Sequence, residues 1–507
     1  RGNHISIGEE ILVKLFQPRD KQRGVKAVAE CQKPWNYFLP ILKNHIRQQW
    51  SDCFVTKNTY QKAAQILQQS WKTERRDPET LIYLNNALLE ATGVDFYTIA
   101  VAVPILQDET GKVKNAEMAE EILRGVAQAQ TEVNLSLFNE EKSSNLILPG
   151  ANFLKSKSLN GKGLKVIIAN DANLEKQAKK IAKTIVKQSE ILGVIGHWTS
   201  EMTTATVDIY NRNKLVIVSP GTTTSELTQQ PRPFFFRTIT NNYVPTGAAV
   251  DVLISDRINQ KRVAIFYNPA SPYSSDYKKR FEEKFLEKVG KKEKVEKEEY
   301  IVYSFDISQA DFDAKSAIKK IINSGELAIV LIPDGQVTNA LVNALEIIKE
   351  NRGQNWMVGN WSVYSPRTLK IGQSQLLEKL VLTVPWHPLS NPKSYFSQTS
   401  EQLWGGSVSS RTALSYDAAQ VVIEGIRQKP NRQGIQKTLA DEDFRLDEGA
   451  TGKIEFQPGT GDRKALTIEL VKVVPCPTNR EYGFTFIPMK FSTPEDAGLN
   501  CSISVDF

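Results

Sequence analysis

The chain has 507 residues, of which 40% are hydrophobic and 24% are charged, a composition typical of soluble globular proteins. One hydrophobic core cannot serve this length, so we expect about three domains. Lysine and arginine number 64 against 57 aspartate and glutamate, a net charge of +7, but the signs are mixed, as in residues 282–299. The sequence therefore lacks the one-signed basic patch typical of nucleic-acid binding, and its apolar runs are too short for a membrane span.

Four cysteines form two pairs that are close in sequence, and neither pair has the CxxC spacing of a metal site. This arrangement predicts the disulfides Cys31–Cys53 and Cys476–Cys501 in an oxidising compartment. The alternative is four unrelated buried thiols.

The first 95 residues differ from the rest of the chain in their predicted secondary structure. Residues 60–71 and 77–90 have helical patterns joined by a short turn, with Asp77 as a good N-cap and Pro78 as a good first helical residue. This helical hairpin resembles one tetratricopeptide-type unit. The alternative is a helical cap on the following domain.

From residue 98 onward, strand-like and helical segments alternate. Helical patterns at 116–134, at about 174–189 and from about 202 lie between apolar runs of five to seven residues. Such continuous runs are typical of parallel strands buried on both faces, so we predict two open α/β lobes. The apolar runs include "TIAVAVPI", "LKVIIAND", "ILGVIGH", "LVIVSP", "RVAIFYN", "LAIVLIP" and "WMVGN".

Two hydroxyl-rich clusters each follow a predicted strand and precede a helix. Thr199 and Ser200 come after "ILGVIGH", and Gly221, Thr222 and Thr223 come after "LVIVSP". The carboxyl ends of parallel strands meet at one edge, where backbone N–H groups and helix dipoles favour a carboxylate or phosphate. N-capping explains each cluster taken alone. Two neighbouring clusters favour a shared anion site.

Five further motifs follow one another along the chain: "VIGHWTSEMTTATVDIYNRNKLVIVSPGTTTSELT", "FFFRTITNN", "RVAIFYNPASPYSSDY", "GELAIVLIPDG" and "RTALSYDAAQ". Through these motifs the chain resembles type I periplasmic binding proteins, the leucine/isoleucine/valine-binding family, over residues 96–475. The resemblance implies two α/β lobes with parallel sheets, joined by three crossovers near 238–243, 384–390 and 449–456, that close on a ligand without catalysing a reaction. It divides the chain into a helical extension in 1–95, lobe 1 in 96–240 and 388–450, and lobe 2 in 241–387 and 451–507.

Carried over by position, the resemblance implies that Ser200 and the backbone near Gly221 and Thr223 hold the α-carboxylate and α-ammonium of an amino acid. Tyr273, in "PASPYSSDY", falls where the second lobe of the family covers the ligand with an aromatic ring. A loop tyrosine without contact to ligand is the alternative.

The sequence departs from the family's pattern after "WMVG". Amino-acid binders of this family usually have an acidic residue there that balances the ligand ammonium, whereas this chain has Asn360, Trp361 and Ser362. A buried ammonium without a counter-charge costs several kcal/mol. Either Asp334, at the end of another predicted strand, supplies the charge, or the ligand is not a simple α-amino acid and Trp361 offers an apolar or cation–π wall.

The motifs HExxH, GxSxG and GxxxxGK[ST] do not occur, so we expect no catalytic residue, metal or cofactor. His197 lies beside the hydroxyl clusters, where it either contacts ligand or forms part of a satisfied strand end. "GTGDRK" (459–464) lies between two strand-like segments, which favours a hairpin loop.

The predicted function is an extracytoplasmic solute-binding protein that delivers an amino acid or related carboxylate to the membrane components of an ABC transporter. The alternative is a ligand-sensing receptor ectodomain or scaffold whose helical extension contacts a signalling partner. The chain starts at Arg1, which indicates a processed form, so a signal peptide or membrane anchor could precede it.

Overall fold

A computed structural model describes residues 5–6, 54–110, 112–138, 147–290, 296–335 and 338–501, with the backbone alone for 5–6 and 54–59. The chain divides into two compact α/β units, as the alternating sequence pattern predicts. The first contains the residues up to Thr222, Pro231–Thr238 and Lys393–Lys464, and the second contains Thr223–Gln230, Ile239–Pro392 and the chain from Ala465 onward.

In the described part of the chain, the strands are β1 (Ile5–Ser6), β2 (Phe96–Val103), β3 (Leu106–Gln107), β4 (Val113–Asn115), β5 (Gly163–Asn170), β6 (Ile191–Ile195), β7 (Val216–Ser219), β8 (Phe235–Arg237), β9 (Val263–Tyr267), β10 (Ile301–Asp306), β11 (Ala328–Ile332), β12 (Met357–Gly359), β13 (Leu380–Val384), β14 (Glu469–Pro475) and β15 (Phe484–Pro488).

The α-helices of the same residues are α1 (Phe54–Thr73), α2 (Pro78–Thr92), α3 (Glu117–Asn134), α4 (Glu175–Val186), α5 (Ser200–Arg212), α6 (Tyr243–Ile254), α7 (Pro272–Val289), α8 (Lys297–Tyr300), α9 (Ala314–Asn323), α10 (Asn339–Asn351), α11 (Pro366–Leu369), α12 (Ser374–Leu377), α13 (Tyr395–Trp404), α14 (Ser410–Gln428) and α15 (Arg432–Leu439). Short 3-10 helices occupy Ser225–Thr228, Trp361–Val363 and Pro388–Ser390. None of the helices described here is both long and apolar enough to span a bilayer.

The sheet of the first unit has the strand order β1-β5-β2-β6-β7-β8. Its strands pair in parallel except β1, which is antiparallel to β5. Every residue of β5 and β7 is buried, which explains why both sequences are mostly apolar. Helices α3 and α14 pack closely because Gly125 lacks a side chain: a Cβ there would lie 2.3 Å from the Thr412 carbonyl oxygen.

The helical extension is integrated into the first unit. Helices α1 and α2 form the predicted hairpin, and Asp77 caps α2 by accepting hydrogen bonds from the Glu79 and Thr80 amides. Helix α2 is buried along almost its whole length against α3 and β5. The Asn86 side chain bonds both the N–H and the C=O of Val166 on β5, at 3.1 and 2.8 Å. A cap on the lobe therefore describes this hairpin better than a separate repeat unit.

The observed units differ in several places from the sequence-based division, which assigned 96–240 and 388–450 to lobe 1 and everything after residue 450 to lobe 2. Residues 223–230, 239–240 and 388–392 belong to the second unit. Residues 451–464 lie in the first unit, where Phe456 pairs with Arg463 in a hairpin that contains the "GTGDRK" loop. The Arg463 guanidinium is almost completely buried and donates to the carbonyl oxygens of Thr238 and Lys453, both at 2.8 Å. These bonds hold the hairpin in the first unit, and the chain leaves this unit after Lys464.

The sheet of the second unit has the strand order β10-β9-β11-β12-β13-β14-β15, in which β14 and β15 are antiparallel additions to a parallel sheet. Apolar side chains cover both faces, with Phe266 and Leu331 in one layer and Phe281 and Val330 in the other. The unit therefore has its own core.

Cys476 and Cys501 form a disulfide in the second unit, as the sequence predicts. The Cys31–Cys53 prediction lies outside the described residues at both positions. The Cys476–Cys501 bond links the residue just after β14 to a residue 25 positions further along the chain.

We expect replacement of both Cys476 and Cys501 by serine to lower the free energy of unfolding by about 3 kcal/mol, because the unfolded chain loses a closed loop. Urea unfolding of this double variant and the wild type measures the difference. Mass spectrometry of non-reduced peptides establishes the bond in the wild type. A double variant as stable as the wild type would contradict the expectation.

His387 is a buried titratable group of the second unit. Its side chain is 3% exposed, and Nδ1 accepts a hydrogen bond from the Leu389 amide at 3.2 Å. Burial lowers the pKa of His387 from 6.5 to about 4, with a hydrogen bond to the Phe486 backbone acting in the opposite direction. The folded protein therefore keeps this imidazole neutral at pH 5, whereas the unfolded chain protonates it.

Because the folded pKa is depressed, the stability contribution of His387 is complete above pH 6.5 and is lost as the pH falls towards 4. We expect the wild type to lose about 2 kcal/mol more stability between pH 7 and pH 5 than His387→Asn, which keeps a capping oxygen without titrating. Urea unfolding of both proteins at both pH values tests this. Equal pH dependence in the two proteins would show that His387 titrates normally.

Candidate functional site

The hydroxyl clusters follow two strands that end at the same edge of the first unit's sheet, and of their residues only Thr223 belongs to the second unit. Strands β6 and β7 are parallel neighbours, with Ile195 opposite Val218, so the segments that follow them emerge together. Within this edge, the Thr203 and Thr222 hydroxyl oxygens are 2.6 Å apart. The sequence argument about strand ends therefore places these clusters correctly relative to each other.

Thr199 is the N-cap of α5. Its hydroxyl accepts a hydrogen bond from the Met202 amide at 3.3 Å and donates one to Asn173 Oδ1 at 2.8 Å. Ser200 follows as the first residue of α5. At this end of a helix the backbone N–H groups have no partner within the helix, and the helix dipole has its positive end. The Ser200 side chain is 3% exposed. Thr199 thus fixes the helix start at which Ser200 sits.

Thr222 joins the two clusters. Its hydroxyl oxygen also lies 3.3 Å from the carbonyl oxygens of His197 and Trp198, and its own carbonyl accepts a bond from the Arg237 guanidinium at 3.0 Å. The space beside Gly221 is filled by the indole of Trp198, because a Cβ on Gly221 would lie 2.5 Å from that ring. The glycine therefore makes room for Trp198.

Thr223 differs from its neighbours. It is 5% exposed, and its hydroxyl oxygen has no hydrogen-bond partner among the described residues. Its carbonyl oxygen, in contrast, accepts a bond from the Asn242 amide at 2.9 Å. A buried hydroxyl without a partner costs about 1–3 kcal/mol, so a ligand or water that bonds to it would stabilise the protein.

His197 belongs to a buried chain of hydrogen bonds that the sequence did not reveal. Its Nδ1 lies 2.7 Å from Asp171 Oδ2, and its Nε2 lies 3.1 Å from the Tyr210 hydroxyl. Burial and the nearby Asp171 charge raise the pKa of Tyr210 well above its ordinary value, so this hydroxyl stays protonated. Both ring nitrogens of His197 are satisfied, in agreement with the strand-end interpretation. Asp171 ends the strand-like segment "KVIIAND", and an acid at this strand end was the signal that could have predicted a partner for His197.

In the second unit, Asp334 and Asn360 follow the neighbouring parallel strands β11 and β12. The Asn360 side chain donates to the Pro333 carbonyl at 2.9 Å and accepts from the Ser362 amide at 3.2 Å. It therefore ties together the two strand ends. Asp334 is half-buried and accepts a hydrogen bond from the Thr338 hydroxyl at 2.6 Å.

Two aromatic side chains of the second unit complete the set of predicted residues. Tyr273 lies in the first turn of α7, half-buried, with its ring edge-on to Tyr277 at 6.1 Å. Trp361 begins the 3-10 helix after β12 and packs, also half-buried, against the core of the unit. Each ring therefore has one part in contact with the core and one part exposed to solvent.

The family model for periplasmic binding proteins matches residues 100–473, well over half of the chain. The chain belongs to this family. Membership implies an extracytoplasmic location and a class of proteins that bind solutes.

Two curated relatives match parts of the chain. An amino acid binding protein from Pseudomonas aeruginosa is 24% identical over 183 residues, which cover 36% of this chain and 43% of the relative. A leucine-specific-binding protein from Salmonella typhimurium is 33% identical over 120 residues, which cover 22% of this chain and 31% of the relative. The chain thus aligns with less than half the length of these relatives.

Two solved structures share the fold. An ABC transporter substrate-binding protein from Desulfitobacterium hafniense in complex with Leu has a TM-score of 0.58 and 19% identity, covering 78% of this chain and 100% of that one. A solute-binding protein of an ABC transporter from Rhodopseudomonas palustris BisB5, in complex with 3,4-dihydroxy benzoic acid, has a TM-score of 0.59 and 15% identity, covering 78% and 96%. At these identities the likeness extends to the fold alone.

Proposed function

We propose that this protein is an extracytoplasmic solute-binding protein that captures an amino acid or close derivative and delivers it, chemically unchanged, to an ABC transporter. The family match over residues 100–473 carries the proposal. The two solved relatives bind solutes for ABC transporters, which favours a carrier over a receptor ectodomain.

The ligand chemistry follows from the strand-end groups. Leu and 3,4-dihydroxy benzoic acid, the ligands of the two solved relatives, share a carboxylate. In this chain, Ser200 at the start of α5 and the unpartnered Thr223 hydroxyl are the groups that suit a carboxylate. We assign these two residues, with the backbone near Gly221, to the carboxylate.

The ligand ammonium requires a second group. Asp334 is the acid at a strand end of the second unit, and its carboxylate has a single neutral donor, Thr338, among the hydrogen bonds described for it. It therefore retains acceptor capacity for an ammonium. Asn360 holds the loop that carries Asp334, while Tyr273 and Trp361 supply apolar and aromatic surface.

We expect Ser200→Ala and Thr223→Ala each to weaken L-leucine binding by about 10- to 100-fold, because each removes a hydrogen bond to a charged group. Isothermal titration calorimetry measures the affinity. Thr206→Ala is a matched control and should leave affinity unchanged, since among the described residues that buried hydroxyl bonds within α5, to the Met202 and Thr203 carbonyls. If Ser200→Ala and Thr223→Ala bind like the wild type, both clusters serve the framework alone.

A matched pair of ligands tests Asp334. L-leucine and 4-methylpentanoate differ only in the α-ammonium, so Asp334→Asn should weaken leucine binding by about 2 to 5 kcal/mol and leave 4-methylpentanoate unaffected. Trp361→Ala should weaken both, since it removes apolar contact. Calorimetry with both ligands separates the effects. Unchanged leucine affinity in Asp334→Asn would exclude Asp334 as the ammonium partner.

A further inference from the structure

Asp276, in the second turn of α7, is the centre of a buried hydrogen-bond network in the second unit. Its carboxylate accepts bonds from the Ser225 amide at 2.8 Å, the Ser225 hydroxyl at 2.5 Å and the Asn242 side chain at 2.7 Å. The Arg280 guanidinium lies one helical turn further on, with Nε 3.3 Å from the same carboxylate. The side chain of Asp276 is 1% exposed, so water does not substitute for these donors.

This network fixes the backbone of Thr223 from two directions. Asn242, which donates its side chain to Asp276, donates its backbone N–H to the Thr223 carbonyl at 2.9 Å. Ser225, two residues after Thr223, is bound to Asp276 through both its amide and its hydroxyl. Thr223, Asn242, Asp276 and Ser225 thus form a closed ring of covalent and hydrogen bonds.

The ring holds a group that has no hydrogen-bond partner in the part of the chain that the structure describes. The Thr223 hydroxyl is buried and unsatisfied within the described residues, although its backbone is held on both sides. A polar group that is held in place before its partner arrives is what preorganised binding requires, because the protein then loses little entropy when the ligand binds.

We propose that Asp276 is a positioning residue for ligand binding: through Ser225 and Asn242 it holds the Thr223 hydroxyl in the orientation that bonds a ligand carboxylate. The inference rests on the proposed function, in which Thr223 contacts the carboxylate. Asp276 itself touches no ligand.

A double-mutant cycle tests the proposal, with L-leucine and isothermal titration calorimetry. Asp276→Asn puts an N–H donor where the wild type has an acceptor oxygen, so this donor faces the donors of Ser225 or Asn242 and a hydrogen bond of the ring is lost. In the wild-type background the substitution should therefore weaken L-leucine binding about 10-fold. In the Thr223→Ala background the same substitution should change affinity less than about 2-fold, because the group that Asp276 orients is missing. A merely structural role would move stability but would not produce this coupling.

Two further variants support the reading of this cycle. Ser225→Ala removes only the hydroxyl bond to Asp276. It should weaken L-leucine binding less than Asp276→Asn does, and again only when Thr223 is present. This variant replaces Asp276→Asn in the test if Asp276→Asn does not fold. Asp313→Asn is a matched control, since Asp313 holds the Ser316 amide at 2.9 Å and the Ser316 hydroxyl at 2.6 Å in an exposed helix cap of the same unit. It should leave the affinity unchanged.

The outcomes separate the inference from the function on which it rests. If the wild type binds leucine and Asp276→Asn has equal effects with and without Thr223, Asp276 is structural and only the inference is overturned. If the wild type binds no amino acid and no 4-methylpentanoate, the proposed function falls and the inference falls with it.

Discussion

Every polar group at the carboxyl edge of a buried parallel sheet needs a partner, and this constraint governs the candidate site. No strand continues there, so the chain satisfies its own loops with short side chains. Thr199 caps α5, Thr222 links two loops, and Asn360 ties two strand ends. These residues resemble ligand-binding groups in sequence because framework and ligand use the same hydrogen-bond chemistry.

The same requirement explains the buried charges of the first unit. Asp171 has His197 as its partner. Arg463 donates to the carbonyl oxygens of Thr238 and Lys453 and forms an ion pair with Asp417. Removal of one partner leaves a buried charge uncompensated. The stability lost in this way far exceeds the net contribution of the pair to stability. A substitution that removes one of these partners should therefore disturb the loops that the remaining group holds.

Local patterns in the sequence predicted the fold well. The uninterrupted apolar runs identified β5, β7, β9 and β11 because strands buried on both faces need no alternation. The division at residue 450 differs from the structure because the hairpin with Arg463 is held by contacts to Thr238, more than two hundred positions earlier. No local pattern records such a contact.

The candidate site was predictable in its location and less so in its details. Strand-end position placed Ser200 and Thr222 at one edge, since parallel neighbours share that edge. Sequence could not distinguish Thr222, whose hydroxyl has several partners, from Thr223, whose hydroxyl has none among the described residues. The difference depends on where each side chain points after a turn, and adjacent threonines give no signal of it. Asp276 was missed for a related reason: Asn242 and Ser225, through which it acts on Thr223, lie 34 and 51 positions away.

Helix α2 bears on how such a protein can evolve. Its Asn86 side chain occupies the N–H and C=O of Val166 on β5, as a neighbouring strand would, and Asn85 bonds to Asn134 on α3 at 2.9 Å. A lobe that lost this helix would expose those groups together with the apolar side chains beneath them. Substitutions in this helix and in the surface of the lobe that it covers are therefore constrained by each other.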